Sequence, residues 1–270
     1  MTDSSKLFNI KKSSSGSVSN VDDFVAIEEP LEIRVEEKNV AIVMRTPGHD
    51  RELAAGFLLS EGVIKSSDDV FEISECESLT TNDFGKGNFV SVLLSKEVKF
   101  EFGNLTRHVF TSSSCGICGK ATIESVMIDF PKIERQNKIC SSKIVSYPDK
   151  LSEAQTTFKK TGGLHASALF NPNGEIVVIR EDVGRHNALD KVIGYALLEN
   201  LLPLSDHTLL LSGRISFELM QKSLAAGIPT VAGISAPSSL AIEFAKKSGQ
   251  KLIGFLRDQT MNIYSGNVTD

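Results

Sequence analysis

Two cysteines three positions apart carry the sharpest chemical signal in the sequence. Cys115 and Cys118 lie in the run SSSCGICGK at 112–120, and a glycine follows each of them. Glycine leaves a neighbouring sulfur accessible because it has no side chain. A helix beginning after this loop would favour thiolate over thiol through its N-terminal amides. A thiolate is the reactive form in sulfur transfer, disulfide exchange and metal ligation, so the pair predicts one of these chemistries rather than an incidental buried pair.

The other two cysteines, Cys76 and Cys140, stand alone in the sequence. Four cysteines are too few for a disulfide scaffold in a chain of 270 residues. A zinc site would need two further ligands beside the close pair, and the sequence has no second CxxC. A thioredoxin-type redox pair would need the strand-then-helix context of its own fold.

A dense run of ionisable residues, REDVGRHNALDK at 180–191, lies between a predicted strand and a predicted helix. One interpretation is structural: Asp182 or Asn187 caps the helix and the other charges form ion pairs. The other is functional, because α/β proteins bind ligands at the carboxyl ends of their strands. The density of charge favours the functional interpretation, while the roles of Glu181 and His186 stay open.

Three further loops carry small residues, hydroxyls and arginine at predicted strand ends, namely SGR at 212–214, SAP at 235–237 and GFLRD at 254–258. Arg214 is suited to bind phosphate together with helix amides, so these loops predict a nucleotide or another phosphorylated ligand. The sequence lacks GxxxxGK[ST], which argues against an ATP-hydrolysing P-loop. His165 follows a glycine pair, and it fits a general acid or base, a ligand or an ordinary hydrogen-bonding residue.

Hydrophobic periodicity predicts the elements that position these residues. The first half reads as a strand hairpin over 31–44, a helix over 50–60 and strands at 70–74 and 88–94. In the second half, a hairpin of strands at 166–170 and 176–180 is followed by alternating helices and strands. The helices are 187–198, 217–226 and 239–248, and the strands are 208–211, 230–234 and 252–255. This order predicts an α/β fold in three layers with parallel strands.

The elements divide the chain into three parts. Residues 1–20 are rich in serine and are predicted to be a disordered tail. Residues 21–110 are predicted to form a small α+β domain, and residues 111–270 a larger α/β domain that carries the CxxC loop. A chain of 270 residues fits two modest domains of this kind.

Composition narrows the class of partner. The net charge of −5 and the absence of tryptophan argue against a broadly basic nucleic-acid binder with an aromatic stacking surface. No segment approaches the roughly 20 apolar residues that a membrane span needs, and the N-terminus lacks a signal-peptide pattern. We therefore expect a cytoplasmic protein that binds neither nucleic acid nor membrane.

Several motifs together resemble the FdhD family, the formate dehydrogenase accessory sulfurtransferases. The resemblance runs from about Glu28 to Tyr264. The acidic and basic block at 181–191 is its most specific part. The other matching motifs are TPGHDREL at 46–53, SCGICG at 114–119, TGGLH at 161–165, SGR at 212–214, SAP at 235–237, GFLR at 254–257 and NIY at 262–264.

This resemblance implies a dimeric cytoplasmic protein whose main domain is a cytidine-deaminase-like α/β sheet. It implies a sulfurtransferase that accepts persulfide sulfur from a cysteine desulfurase and transfers it to the molybdenum cofactor, in its bis-guanine-dinucleotide form, for formate dehydrogenase. In that scheme Cys115 carries the persulfide and Cys118 is the second thiol. The segment that corresponds to the family's cofactor-binding region consists of Phe255, Leu256, Arg257, Asp258, Gln259 and Thr260, and Arg214 is a further phosphate contact.

Two alternatives stay open beside the sulfur relay. A non-catalytic chaperone would bind the cofactor and formate dehydrogenase without carrying sulfur. A zinc protein or dithiol oxidoreductase would use the same two cysteines differently. Zinc deamination itself is not expected, because that chemistry needs H-x-E followed by P-C-x-x-C, and residue 167, two after His165, is serine. We therefore expect no zinc and no P-loop nucleotide.

Overall fold

The computed structural model of the chain describes residues 4–82, 85–98, 130–134 and 138–270. The CxxC loop at 112–120 and the helix predicted after it lie outside these residues. None of the described helices is long and apolar enough to cross a membrane.

The N-terminal part of the chain forms a sheet of four strands together with one helix. The strands are β3 (Glu29–Val35), β4 (Lys38–Arg45), β5 (Val70–Asn82) and β6 (Gly85–Leu94), in the order β4-β3-β6-β5. Helix α1 (Asp50–Ser60) follows β4, and a 3-10 turn (Ser67–Asp69) precedes β5. Leu31, Ile33 and Val35 alternate along β3 and are buried, which is why the period of two in the sequence predicted this strand correctly.

The prediction that residues 1–20 form a disordered tail is wrong. Strands β1 (Ser5–Ser14) and β2 (Ser17–Ala26) form an antiparallel hairpin. The two turn residues Ser15 and Gly16 both have positive φ, 50° and 84°, as a two-residue hairpin turn of the right twist requires. A hydrogen bond from Ile27 N to Ser4 O (3.0 Å) closes the base of the hairpin. Apolar residues do not alternate regularly along either strand, and Leu7, Phe8 and Val18 are exposed, so the hydrophobic pattern did not indicate the hairpin.

The main sheet has six strands in the order β12-β11-β10-β9-β7-β8. These are β7 (His165–Phe170), β8 (Ile176–Asp182), β9 (Thr208–Leu211), β10 (Thr230–Gly233), β11 (Lys251–Arg257) and β12 (Thr260–Ser265). Strands β9, β10 and β11 are mutually parallel, β7 is antiparallel to both β8 and β9, and β12 is antiparallel to β11. The sheet is therefore mixed. Strand β8 has the same direction as β9, β10 and β11 although β7 separates it from them, and the prediction of parallel strands holds for these four strands only.

Helices cover both faces of the main sheet. Helices α5 (Arg185–Leu198), α6 (Phe217–Ala225) and α7 (Ser239–Ser248) share a core with Leu209, Leu211 and Val231 of the sheet. The opposite face buries Ala166, Phe170 and Leu210 against α2 (Ser141–Ile144) and α3 (Tyr147–Ala154), and the short helix α4 (Thr156–Thr161) follows. The ring of Tyr147 stacks on that of Phe170 with centroids 3.9 Å apart. The α/β fold in three layers is confirmed, whereas its likeness to cytidine deaminases stays a prediction.

Helices α1 and α5 cross at two glycines. A Cβ atom added to Gly194 would lie 2.6 Å from the carbonyl carbon of Glu52, and one added to Gly56 would lie 2.8 Å from the backbone nitrogen of Gly194. The two backbones therefore meet directly, which only glycine permits. Through this crossing, the N-terminal sheet and the main sheet share one continuous hydrophobic core. The boundary predicted at residues 110 and 111 falls in the part of the chain that the structure does not describe and stays a prediction.

Candidate functional site

The carboxyl ends of four strands meet along one edge of the main sheet. Strands β8, β9, β10 and β11 all end there, and the antiparallel strand β7 begins there at His165. Neighbouring strands lie about 4.8 Å apart, so the loops after β9 and β11 are separated by about 10 Å. The structure therefore brings together the run at 182–186, the SGR loop, the SAP loop and the segment 255–260 on one edge, as the sequence predicted.

The loops that follow β9 and β10 are joined to each other. Ile215 N donates to Ala236 O (3.0 Å), and Ser238 N donates to Ile215 O (2.9 Å). A side chain at Gly233 would strike Ile215, since an added Cβ would lie 2.8 Å from its Cδ1. Both loops then enter helices, and Ser238 caps α7 by accepting a hydrogen bond from Ala241 N. Arg214 is thus an exposed side chain on a backbone that is held on both sides.

His165 lies on this edge between the ends of β8 and β9, and it is half-buried. Its ring packs on the backbone of Gly213, where an added Cβ would lie 3.1 Å from its Nδ1. Burial lowers the pKa of His165, and the positive charges of Arg185, His186 and Arg214 lower it further, against the opposing effect of Asp182. The imidazole is therefore neutral near pH 7, since its pKa lies below the usual value of about 6.5.

The charged run divides into a structural part and an exposed part. Asp182 is fully buried and pairs with Lys191, whose Nζ lies 2.7 Å from its Oδ2. The same carboxylate accepts hydrogen bonds from Thr46 N (3.1 Å), Gly184 N (2.8 Å) and Asn187 Nδ2 (3.0 Å). Lys191 Nζ also donates to Thr46 O (2.8 Å). For these residues the structural interpretation is correct: they join the loop to the N-terminal sheet.

A second buried ion pair joins α5 to α6. Lys222 Nζ lies 2.9 Å from both carboxylate oxygens of Asp190 and donates to Ser60 Oγ (2.7 Å). Ser60 Oγ also donates to Asp190 (3.0 Å). Helices α1, α5 and α6 are thereby joined by one polar network. Sequence reasoning missed this network, because Ser60 and Lys222 are far from Asp190 in the chain and belong to none of the motifs.

Glu181 and Arg180 also have structural partners. Glu181 accepts hydrogen bonds from Thr157 N (3.0 Å) and Phe158 N (2.8 Å), so it caps the start of α4. Arg180 makes a bidentate pair with Glu52, with nitrogen to oxygen distances of 2.5 and 2.7 Å. These contacts leave Arg185 and His186 as the members of the run that belong to the strand-end surface.

His186 has an acidic partner that the sequence did not suggest. Its Nε2 lies 2.8 Å from Oε2 of Glu218, in the first turn of α6. This buried nitrogen nevertheless has no well-aligned hydrogen bond within the described part of the chain. Glu218 follows the SGR loop by four positions, and its place at a helix start beside a strand-end loop is the one feature that could have indicated it.

The predicted cofactor-binding segment forms the turn between β11 and β12. Phe255, at φ 52°, interrupts the strand pairing and donates its N–H to Ser235 O (3.1 Å). Leu256 is fully buried in the core of the opposite face. Asp258 and Gln259 have positive φ and turn the chain, and Thr260 Oγ1 donates to Arg257 O (2.9 Å). The residues of this segment that face solvent are Arg257, Asp258, Gln259 and Thr260.

Comparison with known proteins identifies the family of the chain. The FdhD/NarQ family model matches residues 26–269. The chain belongs to the FdhD/NarQ family. The match covers every strand-end loop described above. Cys115 and Cys118 lie inside it but outside the described residues, so their assigned roles stay predictions.

Individual relatives are similar over almost their whole length. A protein of Streptomyces avermitilis named sulfur carrier protein FdhD is 49% identical over 258 residues, which are 93% of this chain and 90% of the relative. A protein of the same name from Saccharolobus solfataricus is 47% identical over 246 residues, 90% of this chain and 89% of the relative. A crystal structure from Desulfotalea psychrophila, assigned as a formate dehydrogenase accessory protein, has a TM-score of 0.75 at 25% identity and 98% coverage of both chains.

Proposed function

We propose that this protein is a sulfurtransferase that accepts persulfide sulfur from a cysteine desulfurase and transfers it to the molybdenum cofactor in its bis-guanine-dinucleotide form. The transfer would be required for formate dehydrogenase activity. The name sulfur carrier protein, shared by relatives that are nearly half identical, is the observation that carries the proposal. The accessory role assigned to the structural relative supports the link to formate dehydrogenase.

The first chemical step is an exchange between sulfur atoms. The Cys115 thiolate attacks the terminal sulfur of the desulfurase persulfide. A sulfur–sulfur bond forms at Cys115, the bond in the donor breaks, and the desulfurase cysteine leaves as a thiolate. The step needs no outside oxidant or reductant, because one persulfide replaces another. Cys118 is the second thiol of the loop.

The substrate of the second step is the cofactor, and the strand-end surface has the chemistry to bind its guanine dinucleotide. Arg214 and Arg257 present exposed guanidinium groups from two loops about 10 Å apart. Guanidinium groups bind phosphate oxygens through paired hydrogen bonds. Two such groups on neighbouring loops suit a ligand with more than one phosphate, such as a dinucleotide. The bound ligand would lie along the turn from Phe255 to Thr260.

The same proposal specifies partners and location. A cysteine desulfurase and formate dehydrogenase are the two protein partners, and the protein acts as a homodimer in the cytoplasm. It needs neither a membrane nor a nucleic acid for this role.

The decisive test asks whether Cys115 receives sulfur. The protein is incubated with a cysteine desulfurase and cysteine, and intact-protein and peptide mass spectrometry then locate any added sulfur atom. We expect one sulfur on Cys115 in the wild type and none in the Cys115→Ala variant. Cys140→Ala is the matched control, since Cys140 belongs to none of the matching motifs, and it should load normally.

Formate dehydrogenase activity in cells that lack the endogenous protein completes the test. Loss of activity with Cys115→Ala supports the relay. Full activity with both Cys115 and Cys118 replaced would instead support the chaperone alternative, particularly if Arg257→Ala abolished cofactor binding.

A further inference from the structure

Four basic side chains from three separate segments lie on the strand-end surface beside β7, β8 and β9. His165 begins β7, Arg185 and His186 begin α5, and Arg214 lies in the loop between β9 and α6. These four residues are called the His165 cluster below. His165 pairs with Asp182, three residues before Arg185, and its Nδ1 would lie 3.1 Å from a Cβ added to Gly213, the neighbour of Arg214, so the backbone brings the three segments together around its imidazole.

The acidic groups near the cluster are already paired. Asp182 is the carboxylate whose charge reaches His165, and it is bound to Lys191 at 2.7 Å. Glu218, from α6, lies 2.8 Å from His186. Within the described ranges, neither Arg185 nor Arg214 has a carboxylate within ion-pair distance. The cluster therefore carries uncompensated positive charge.

His165 is the histidine of the cluster that packs on the SGR loop, next to Arg214. Its ring is fixed between the backbone of Gly213 and the pairing of β7 with β8, where His165 is opposite Asp182. A proton on this ring is disfavoured while the site is empty, because two guanidinium groups are nearby. An anion placed among the same groups reverses that balance, since it attracts the proton that the cations repel.

We propose that His165 is a ligand-binding residue that takes up one proton from solvent when a phosphate group binds among Arg185, Arg214 and His186. The inference rests on the proposed function for the identity of the ligand, the phosphate groups of a guanine dinucleotide. No covalent bond changes, and only a proton moves from solvent to the imidazole. The neutral ring becomes a cation that donates a hydrogen bond to the ligand.

The sign of the pH dependence follows from linkage. Binding raises the pKa of His165, so affinity increases as pH falls through the interval between the pKa of the free protein and that of the complex. Above both values the ring is neutral in both states and affinity no longer depends on it. One linked proton limits the change to about tenfold in affinity per pH unit.

Diguanosine diphosphate is the probe, because each of its phosphates carries one charge and does not titrate near neutral pH. Isothermal titration calorimetry at a pH of about 6.5, near the ordinary histidine value, is run in two buffers of different ionisation enthalpy. The wild type should take up a fraction of a proton for each ligand bound. His165→Asn should take up almost none, and the affinity that it loses relative to the wild type should be larger at a pH of about 6.5 than at a pH of about 8.

Two histidine variants separate His165 from other groups. His207→Asn is the matched control, since His207 precedes β9 at the opposite edge of the sheet, and it should keep the full proton uptake. Uptake that survives in His165→Asn, or that is lost only in His186→Asn, overturns the assignment to His165. A measurement on the wild type does not depend on whether a variant folds. The NMR titration midpoint of the His165 ring should rise when the probe is added, and an unchanged midpoint overturns the proposal.

The outcomes also separate this inference from the proposed function. Binding of the probe without proton uptake overturns only the role of His165. Failure of the wild type to bind the probe at any pH overturns both the phosphate site and the role of His165. Sulfur loading of Cys115 is measured independently and depends on neither result.

Discussion

The crossing of α1 and α5 makes a quantitative prediction for Gly194→Ala. An added Cβ would lie 2.6 Å from the carbonyl carbon of Glu52. Non-bonded carbon atoms prefer a separation of at least about 3.5 Å, and the carbonyl oxygen of Glu52 would be closer to the added Cβ than its carbon, so the helices would have to separate by more than about 0.9 Å. Overpacking of this kind typically costs about 1–3 kcal/mol, and we expect the upper end because backbone atoms, which cannot rotate away, form the contact.

Thermal and urea denaturation measure this loss. A loss of about 3 kcal/mol corresponds to a decrease in Tm of roughly 6–12 °C for a protein of this size. Gly163→Ala is the matched control: its added Cβ would lie 3.7 Å from the Cβ of Ala26, an ordinary contact. The control should change the free energy of unfolding by less than about 0.5 kcal/mol.

The double variant tests the cause of the loss. Gly56→Ala should be destabilising for the same reason, since its added Cβ would lie 2.7 Å from the carbonyl carbon of Asp190. One separation of the two helices relieves both clashes, so the double variant should cost less than the sum of the single ones. A Gly194→Ala protein with the Tm of the wild type would refute the reasoning, and strict additivity would show that the two glycines do not share one contact.

Two further variants probe the buried charges. Asp182→Asn leaves Lys191 buried without its counter-charge and should lower the free energy of unfolding, measured by urea denaturation, by about 3–5 kcal/mol. The double variant with Lys191→Met should recover part of that loss. Equal stability of the single and the double variant would contradict the pairing. Burial alone would raise the pKa of Glu52, but hydrogen bonds from Arg180 and His49, together with their charges, outweigh it and hold the pKa below 4.5. The stabilisation that the ionised Glu52 contributes is therefore present above the unfolded-state pKa and is lost as pH falls through the lower folded-state value. The difference in Tm between the wild type and Glu52→Gln should shrink when the pH is lowered from about 6 to about 3.5. A constant difference in Tm would contradict this prediction.

The sequence predicted the elements with strong periodicity and missed those without it. Helix α1 begins at Asp50 and ends at Ser60 as expected, because one face is apolar and the TPG sequence stops the preceding strand. Strand β12 was missed, since TMNIYS has only one clear apolar alternation and lies half-exposed at a sheet edge. The short helices over 141–161 were missed because their stability comes from packing Tyr147 and Leu151 against the sheet rather than from local pattern.

The sequence predicted where the candidate site lies, but not which of its charged residues have a structural role. That strand-end loops converge follows from the α/β order, so Arg214, Arg257 and the run at 180–191 were placed on one edge correctly. Which charges in the run are structural depends on Thr46, more than 130 residues earlier in the chain, whose backbone binds both Asp182 and Lys191. No local pattern contains that contact.

The hydrogen bonds between Thr46 and the buried pair of Asp182 and Lys191 limit which truncated or chimeric forms of the protein can fold. Arg185 lies three residues after Asp182, so part of the support for its position comes from the contacts of Asp182 with Thr46, which follows the N-terminal strand β4. A fragment that starts at the predicted boundary would lose Thr46, α1 and the glycine contact at once. The two sheets are therefore not interchangeable modules, and a chimera of two relatives would have to carry α1, the TPG turn and α5 from the same parent.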